Sequence, residues 1–437
     1  MPRREASRAI RISLLENLGE YTLMQRSLRA RFASCLAVAF VAFVALGGCT
    51  GNGGGSGPSG NVIKIGSDLP VSGADASDGI PTQNGVQLAV QVANEQHMIP
   101  GFTLQADSLD DAVDGVHNPP QGAKNVQALA SDPAVIGIVG PFNSNVAQAE
   151  IPLSNALGIA LVAPSTTNPT LTKGPEALEL RRQNPNEITF FRVCATDDIQ
   201  GPVGADYAAK TIHLRRAYVV DDNETYGKGV ADQWAARFTS DGGTVVGRTH
   251  LTPGQTDFHA LLTDAAAAHP DVVFYGGTSA TGGDQLRKQM FGTSLASVTM
   301  FGADGIRNEE FLRIAGPMAN DVYATVASVN AAKLPAAQAF LKEYQATFNQ
   351  PVGSYSASGY VAAMVIIKAA AEAVKANGGK MPSRADVLAN IRSAKTFDTI
   401  IGSFAFDPDG DPTSKIISVY EARNDAWDFL TQVKFGT

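Results

Sequence analysis

The sequence has little of what staples small exported domains together and little of what drives most enzymes. Its 437 residues include three cysteines, Cys35, Cys49 and Cys194. Cys35 falls inside an apolar leader, so the mature chain has no internal disulfide available except through Cys49. A body of this size can bury a core without one. Histidine occurs six times, and His213, His250, His259 and His269 sit on or beside segments that read as solvated faces. There is no G-x-S-x-G elbow, Walker A loop, H-E-x-x-H or C-x-x-C. "YGKGVAD" supplies G-x-G without the third glycine, a weak dinucleotide signal. Basic residues are outnumbered, 34 Lys and Arg against 42 Asp and Glu, which argues against a nucleic-acid partner. No segment of the body is apolar enough to cross a membrane. "GYVAAMVIIKAAAEAVKANGG" comes closest, but Lys368 and Glu372 interrupt it, and its pattern suits a buried helix.

What is present begins with the leader. Phe32 to Leu46 is an apolar run, too short for a span of about 20 residues and of the length of a signal-peptide core. "MQRSLRARF" before it carries Arg26, Arg29 and Arg31 and no acid. Glu5, Glu16 and Glu20 in the first 23 residues do not suit an n-region, so Met24 is the expected start, the alternative being one long n-region. The run ends in "LGGC", which resembles the lipobox of bacterial lipoproteins, where cleavage precedes a cysteine that is then lipidated. Residues 1–48 read as the signal region. Residues 49–60 read as a lipid anchor at Cys49 and a Gly/Ser tether. Without lipidation, cleavage near Gly48 would release the chain.

The body alternates short strands with amphipathic helices. Strands are predicted at "NVIKIGSDLP" (61–70), "FTLQADSLDD" (102–111), "AVIGIVGP" (134–141) and "IALVAPS" (159–165). Helices are predicted at "PTQNGVQLAVQVANEQ" (81–96), "PPQGAKNVQALASD" (119–132) and "SNVAQAEIPLSNALG". The second half repeats this rhythm through "RRAYVVDDN", "DVVFYGG" and "VTMFGADG". Such alternation means an α/β protein with doubly wound parallel sheets, and there are enough units for two lobes. Ligands of such sheets bind beyond the carboxyl ends of the strands. The turns after "IGSDLP", "IVGP", "LVAPS", "VVDDNETYG", "FYGG" and "MFGADG" are therefore expected to face one cleft.

Those turns carry a family resemblance. "IKIGSDLPVSG…NGVQLAVQVANE", "VIGIVGPFNSNVAQAEIPLSNALGIALVAPSTTNPTLT", "DDNETYGKGVADQWAARF", "DVVFYGGTSATGGDQLRKQM" and "MFGADGIRNEEFLRIAG" resemble the leucine/isoleucine/valine-binding protein family, type I extracytoplasmic solute receptors of ABC transporters. The resemblance runs in order from about residue 61 to the C-terminus. It implies the type I periplasmic binding protein fold, two Rossmann-like lobes joined by a three-strand hinge. The crossovers would lie near "FFRVC" (190–194), "VYATVAS" (322–328) and "TIIGSFAF" (399–406). One lobe would take 61–193 and 328–398, the other 195–324 and 402–437. "KIISVYEARNDAWDFL" would close the chain as a hairpin with "RNDA" as its turn.

The resemblance also implies a site for an amino acid. Ser144 would start a helix and hold the ligand carboxylate, with Ser165 and Thr167 completing that pocket. Tyr226 would close over the ligand from the other lobe. Asp304 would pair with the ammonium. Read without the family, Ser144 and Thr167 are equally helix caps and Asp304 a turn residue. Asp78 and Thr278 stand where some branched-chain receptors place aromatics, so the side-chain pocket is expected to favour a more polar ligand, or a different solute such as an amide or a short peptide derivative. Asp111 and Asn143 stand near the positions of a disulfide found in some members. The expectation is a monomeric, lipid-anchored receptor with no cofactor and no catalytic role, which takes a small polar solute to separate ABC permease subunits. A ligand sensor reporting to a membrane signalling partner is the alternative. An exported α/β hydrolase is disfavoured by the missing nucleophile elbow.

Overall fold

A computed structural model of the protein describes residues 61–435; the leader, Cys49 and the tether lie outside them. The apolar segments of the first half build a parallel sheet. β1 (Val62–Leu69) is buried from Ile65 onward, and α1 (Ala76–Glu95) runs back along the sheet to β2 (Thr103–Asp110). α1 begins before Pro81, where the pattern had placed its start. Pro81 sits in the second turn, so only the Ser77 carbonyl loses its helical partner, and Asp78 is carried into the first turn. A two-strand ladder, β3 (Ala112–Val113) and β4 (Val116–His117), leads to α2 (Pro119–Ser131). Asn118 caps α2 by accepting from the Gln121 N–H, and proline occupies its first position as the sequence suggested. Then come β5 (Val135–Val139), α3 (Ser144–Leu157), β6 (Ala160–Ala163), α4 (Gly174–Leu180) and β7 (Phe190–Arg192). The strand order is β2-β1-β5-β6-β7, all parallel. All five residues of β5 are buried, as a strand covered on both faces requires.

The second half winds the same way. It runs α5 (Asp197–Asp206), β8 (Arg216–Asp221), α6 (Thr225–Ser240), β9 (Thr244–His250), α7 (His259–Ala267), β10 (Val272–Gly276), α8 (Gly283–Met290), β11 (Thr299–Gly302), α9 (Glu309–Ala315) and β12 (Val322–Val326). Trp234 of α6 stacks on Phe274 of β10 and on Phe238, with ring centroids 4.4 and 4.6 Å apart. The chain then returns to the first sheet through α10 (Gln338–Phe348), α11 (Ser356–Ala376) and α12 (Arg384–Ser393). α11 is the helix of the apolar segment weighed above. It packs on α1, β5 and β6, which accounts for its apolarity on all sides. β13 (Phe397–Thr399) and β14 (Gly402–Phe404) form a hairpin before β15 (Lys415–Arg423) and β16 (Ala426–Phe435). The last two strands extend the second sheet antiparallel, in the order β16-β15-β12-β11-β10-β8-β9. Asn424 and Asp425 have φ of 50° and 59°, the two-residue turn expected for "RNDA".

The chain passes between the sheets three times, after β7, after β12 and after β14. The third passage lies between β14 and β15 and begins within the stretch "TIIGSFAF", whose "TIIG" part closes the β13–β14 hairpin turn. The passages are tied together: Ala195 N–H donates to Ala327 O at 2.9 Å and Arg192 N–H to Gly410 O at 3.1 Å. Gly410 has φ +93°, and a Cβ there would sit 2.3 Å from Phe190 O, so only glycine fits. Beside it lies a fully buried ion pair. Arg192 Nε donates to Asp411 Oδ1 at 2.7 Å, and its Nη1 donates to Thr166 O and Asn168 O, both at 2.8 Å. Lys173 Nζ stands 3.0 Å from the other Asp411 oxygen.

Burial alone would raise the Asp411 carboxyl, but Arg192 and Lys173 outweigh it and hold it below the usual value. Its contribution to stability is therefore present above the unfolded aspartate pKa and lost as pH falls through the lower folded one. Asp411→Asn leaves the Arg192 charge buried and unpaired. It is expected to lower the unfolding free energy by about 3–5 kcal/mol, read as a shift in the urea midpoint; a loss under about 1 kcal/mol would refute a structural role for the pair.

Candidate ligand-binding cleft

The loops at the carboxyl ends of the strands meet between the two sheets. On the first side, α3 starts at Ser144 with no side-chain cap from Asn143; Asn145 Oδ1 takes the Val146 N–H at 2.9 Å, which leaves the Ser144 and Asn145 N–H groups and the helix's positive end available. Ser144 is buried, and its Oγ accepts from the Asn168 N–H at 3.4 Å. Ser165 Oγ donates to Phe142 O at 2.8 Å, fixing the loop after β6. Arg192 holds the same loop from behind through two carbonyls. Thr167 is fully buried and its hydroxyl has no partner.

On the second side, Tyr226, in the first turn of α6, donates to Asp304 Oδ1 at 2.9 Å and accepts from the Gly305 N–H at 3.1 Å. Gln200 of α5 donates to the same Asp304 oxygen at 2.6 Å. The unpartnered Tyr355 hydroxyl faces that carboxyl too, and its ring packs edge-on against Phe142. Asp197, the first residue of α5, is fully buried with both carboxylate oxygens unpartnered, and Thr167 faces it. Burial, and after it the charge of Asp304, pushes Asp197 well above the usual carboxylate range. Burial also raises Asp304, although Gln200 and Tyr226 pull it back. The cleft thus places two buried acids beside hydroxyls and a helix N-terminus, and the Arg192 charge that acts on Asp197 is itself paired with Asp411.

Ser144, Ser165, Thr167, Tyr226 and Asp304 come together in this way. Asp78 and Thr278 stand at the edge. Thr278 is closed on itself, its N–H donating to Thr281 Oγ1 at 2.9 Å and its Oγ1 accepting from the Thr281 N–H at 3.1 Å. Asp78 Oδ2 accepts from Asn308 Nδ2 at 2.7 Å, and burial raises its pKa well above the usual value. It lines a side cavity of about 130 Å³ with Arg307, Asn308 and the 350–354 loop. Asp111 and Asn143 are both buried as single residues with no sulfur between them.

Sequence reasoning missed Asp197, Gln200 and Tyr355. The first two lie in "TDDIQGP", directly after the first passage between sheets, and that position was the available signal. It also missed His117. This buried histidine bridges the two sides, with Nδ1 2.8 Å from Asp75 and Nε2 2.8 Å from Glu224 in the turn before α6. Asn145 Nδ2 reaches the same Glu224 oxygen at 3.1 Å. Asn168 Nδ2 donates to Thr225 O at 2.6 Å, and Thr225 Oγ1 to Gln148 Oε1 at 2.7 Å. With Asp78–Asn308, these contacts hold the cleft shut.

Fold, cleft and passages define a two-lobed binding protein. Residues 62–426 match the family model for periplasmic binding proteins, and the chain belongs to that family. Its members bind solutes outside the cytoplasm and are not enzymes. A Leu/Ile/Val-binding protein from Rhizobium johnstonii is 33% identical over 362 residues, covering 82% of this chain and 91% of the relative. The isoleucine complex of LivJ from Streptococcus pneumoniae superposes with a TM-score of 0.73 at 24% identity, covering 86% of this chain and all of that one. A solute-binding protein from R. palustris, in complex with 4-hydroxybenzoate, superposes at 0.71 and 19% identity, over 86% of this chain and 97% of that one.

The histidine bridge makes closure pH-dependent. Burial opposes the imidazolium, but Asp75 and Glu224 outweigh it and hold the His117 pKa well above the usual histidine value. Asp75 is on the same side and stays with His117 in either state; closing adds Glu224. The closed-state pKa is therefore the higher one. The preference for closure is full below the open-state value and is lost as pH rises through the closed-state value. Small-angle scattering across an alkaline titration should show the radius of gyration rising in the wild type and flat in His117→Gln; equal curves would refute the bridge.

Proposed function

We propose that the protein captures an amino acid, or a small polar solute with the same ammonium–carboxylate head, by hinge closure, and passes it to an ABC importer. The single observation that carries this reading is the pair of buried acids, Asp197 and Asp304, neither bonded to a cation; the Arg192 charge that acts on Asp197 is itself paired with Asp411. A buried, unpaired carboxylate is costly, and a ligand ammonium would offset both. In this reading the α3 N-terminus, Ser144, the Ser165 backbone and Thr167 hold the ligand carboxylate. Asp304 takes the ammonium, with Tyr226 closing over it. Asp78 and Thr278 border the side-chain end. The name of the Rhizobium relative supports an amino acid. The R. palustris complex marks the competing class, an aromatic acid with no ammonium, for which two acids in the cleft would be a hindrance. Closure is a population shift: the ligand stabilises the shut form that the passages permit. We also propose that Cys49 carries the lipid anchor, that the receptor is monomeric, and that its partners are separate permease subunits.

The test is a thermal-shift panel on protein unfolded, dialysed and refolded to remove bound solute. The panel holds the amino acids, their amides and simple benzoates. A ligand at about 1,000 times its Kd adds roughly 4 kcal/mol and several degrees of Tm. One or a few amino acids should shift wild type and fail on Asp304→Ala. A shift by a benzoate that survives Asp304→Ala would overturn the reading. For the anchor, Cys49→Ala should move the protein from the membrane fraction to the soluble one; an unchanged distribution would refute lipidation there.

A further inference from the structure

Inside the first lobe, away from the cleft, three carboxyl groups converge. Asp68 comes from the end of β1, Asp111 from the residue after β2 and Glu150 from the middle of α3. One oxygen from each lies within 4.8 Å of the other two, and all three residues are 0% exposed. The second observation is what faces them. Neither oxygen of Asp111, neither oxygen of Glu150 and not Oδ2 of Asp68 has a hydrogen-bond partner. These three side chains carry five orphan oxygens, and one from each meets the other two at a common spot.

The surroundings hold this arrangement in place. Asn125 Nδ2 donates to the remaining Asp68 oxygen at 2.7 Å and to Asp110 O at 2.8 Å. The Asp111 carbonyl accepts from the Asn118 N–H at 2.9 Å, which sets its side chain inward. Gly122 of α2 leaves the room: a Cβ there would lie 2.6 Å from Glu150 Oε1 and 3.4 Å from Asp68 Oδ2. No lysine or arginine is among the groups that act most on the three carboxyls. The one cation that does is His117, which acts on Asp111 through space while bonded to Asp75 and Glu224. Burial pushes Asp68 up to about 6, and burial with the charge of Asp68 pushes Asp111 and Glu150 well above their usual range.

Such a cluster needs protons or a cation. A proton shared by Asp68 and Glu150 would serve those two and leave both oxygens of Asp111 bare. We propose that Asp68, Asp111 and Glu150 are the ligands of a buried site for a hard divalent cation, calcium being the best match. The donors are all carboxylate oxygens, which suits calcium, magnesium or manganese and not the nitrogen- and sulfur-seeking metals. Magnesium holds its water shell tightly and needs waters in its site, whereas calcium accepts a crowded set of carboxylate oxygens. The ion would enter as the chain folds and add its binding energy to stability. It would pin the connection between β2 and α2, which carries His117 to the cleft.

The full chain is unfolded in denaturant with a chelator, refolded with calcium, magnesium, manganese or no metal, passed through gel filtration, and assayed for bound metal and Tm. The expected result is one calcium ion per chain and a Tm several degrees above the metal-free protein, with both lost in Glu150→Gln and Asp111→Asn. Wild type that retains none of the three metals and melts at one temperature in all of them overturns the proposal and leaves the cluster to protons. If a variant does not fold, the wild-type stoichiometry decides alone.

Discussion

The buried pair of Arg192 and Asp411 is the constraint on which the geometry of the molecule rests. Arg192 ends the last strand of the first sheet, and Asp411 lies on the third passage between sheets. Of the remaining donors of the guanidinium, Nη1 reaches Thr166 O and Asn168 O and Nη2 reaches the Thr172 hydroxyl. One side chain therefore fixes the hinge and the loop that presents Ser165 and Thr167. A lysine could not do this, since it lacks the planar fork that serves a carboxylate and two carbonyls at once. The three passages bend about this point, so the part that must stay rigid during closure is the part with the strongest buried contacts.

The cleft has the opposite character. Where the hinge is satisfied, the cleft is left unfinished: Asp197 lacks donors, and Thr167 and Tyr355 have unpaired hydroxyls. Each of these groups would be hydrated with the lobes apart. Closure strips that water, so shutting on nothing is penalised and shutting on a matching solute is not. The contacts across the seam, from His117, Asn168 and Asn308, give some of that energy back. The balance between them sets how far the shut form is populated without solute.

Much of this was legible in the sequence. The wholly apolar "VIGIV" and "VVFYG" could only be strands covered on both faces, and their alternation with amphipathic helices fixed the class of fold. The five site residues implied by the family resemblance lie in the loops and first helical turns that follow parallel strands. What could not be read is also physical. Asp197 and Gln200 follow a passage between sheets, and nothing in a local pattern says where a passage delivers its next helix. His117 is one histidine in a polar stretch, and the partner it meets across the seam, Glu224, is more than a hundred residues away. The start of α1 was misjudged because Pro81 usually opens a helix and here is tolerated one turn later.

The two groups of unpaired acids in this chain differ in depth, and depth decides what each can do. Asp197 and Asp304 face the seam between lobes, so whatever neutralises them can leave when the seam opens. Asp68, Asp111 and Glu150 lie under α2 and α3 within one lobe, and no hinge exposes them. A counter-ion there stays for the life of the fold. The same imbalance of buried charge would thus serve a reversible site where the chain can open and, in our proposal, a permanent one where it cannot. The connection that ends in His117 links the second to the first. It starts at Asp111 and ends on Glu224 across the seam, so the inner cluster sets the position of a residue that holds the outer site closed.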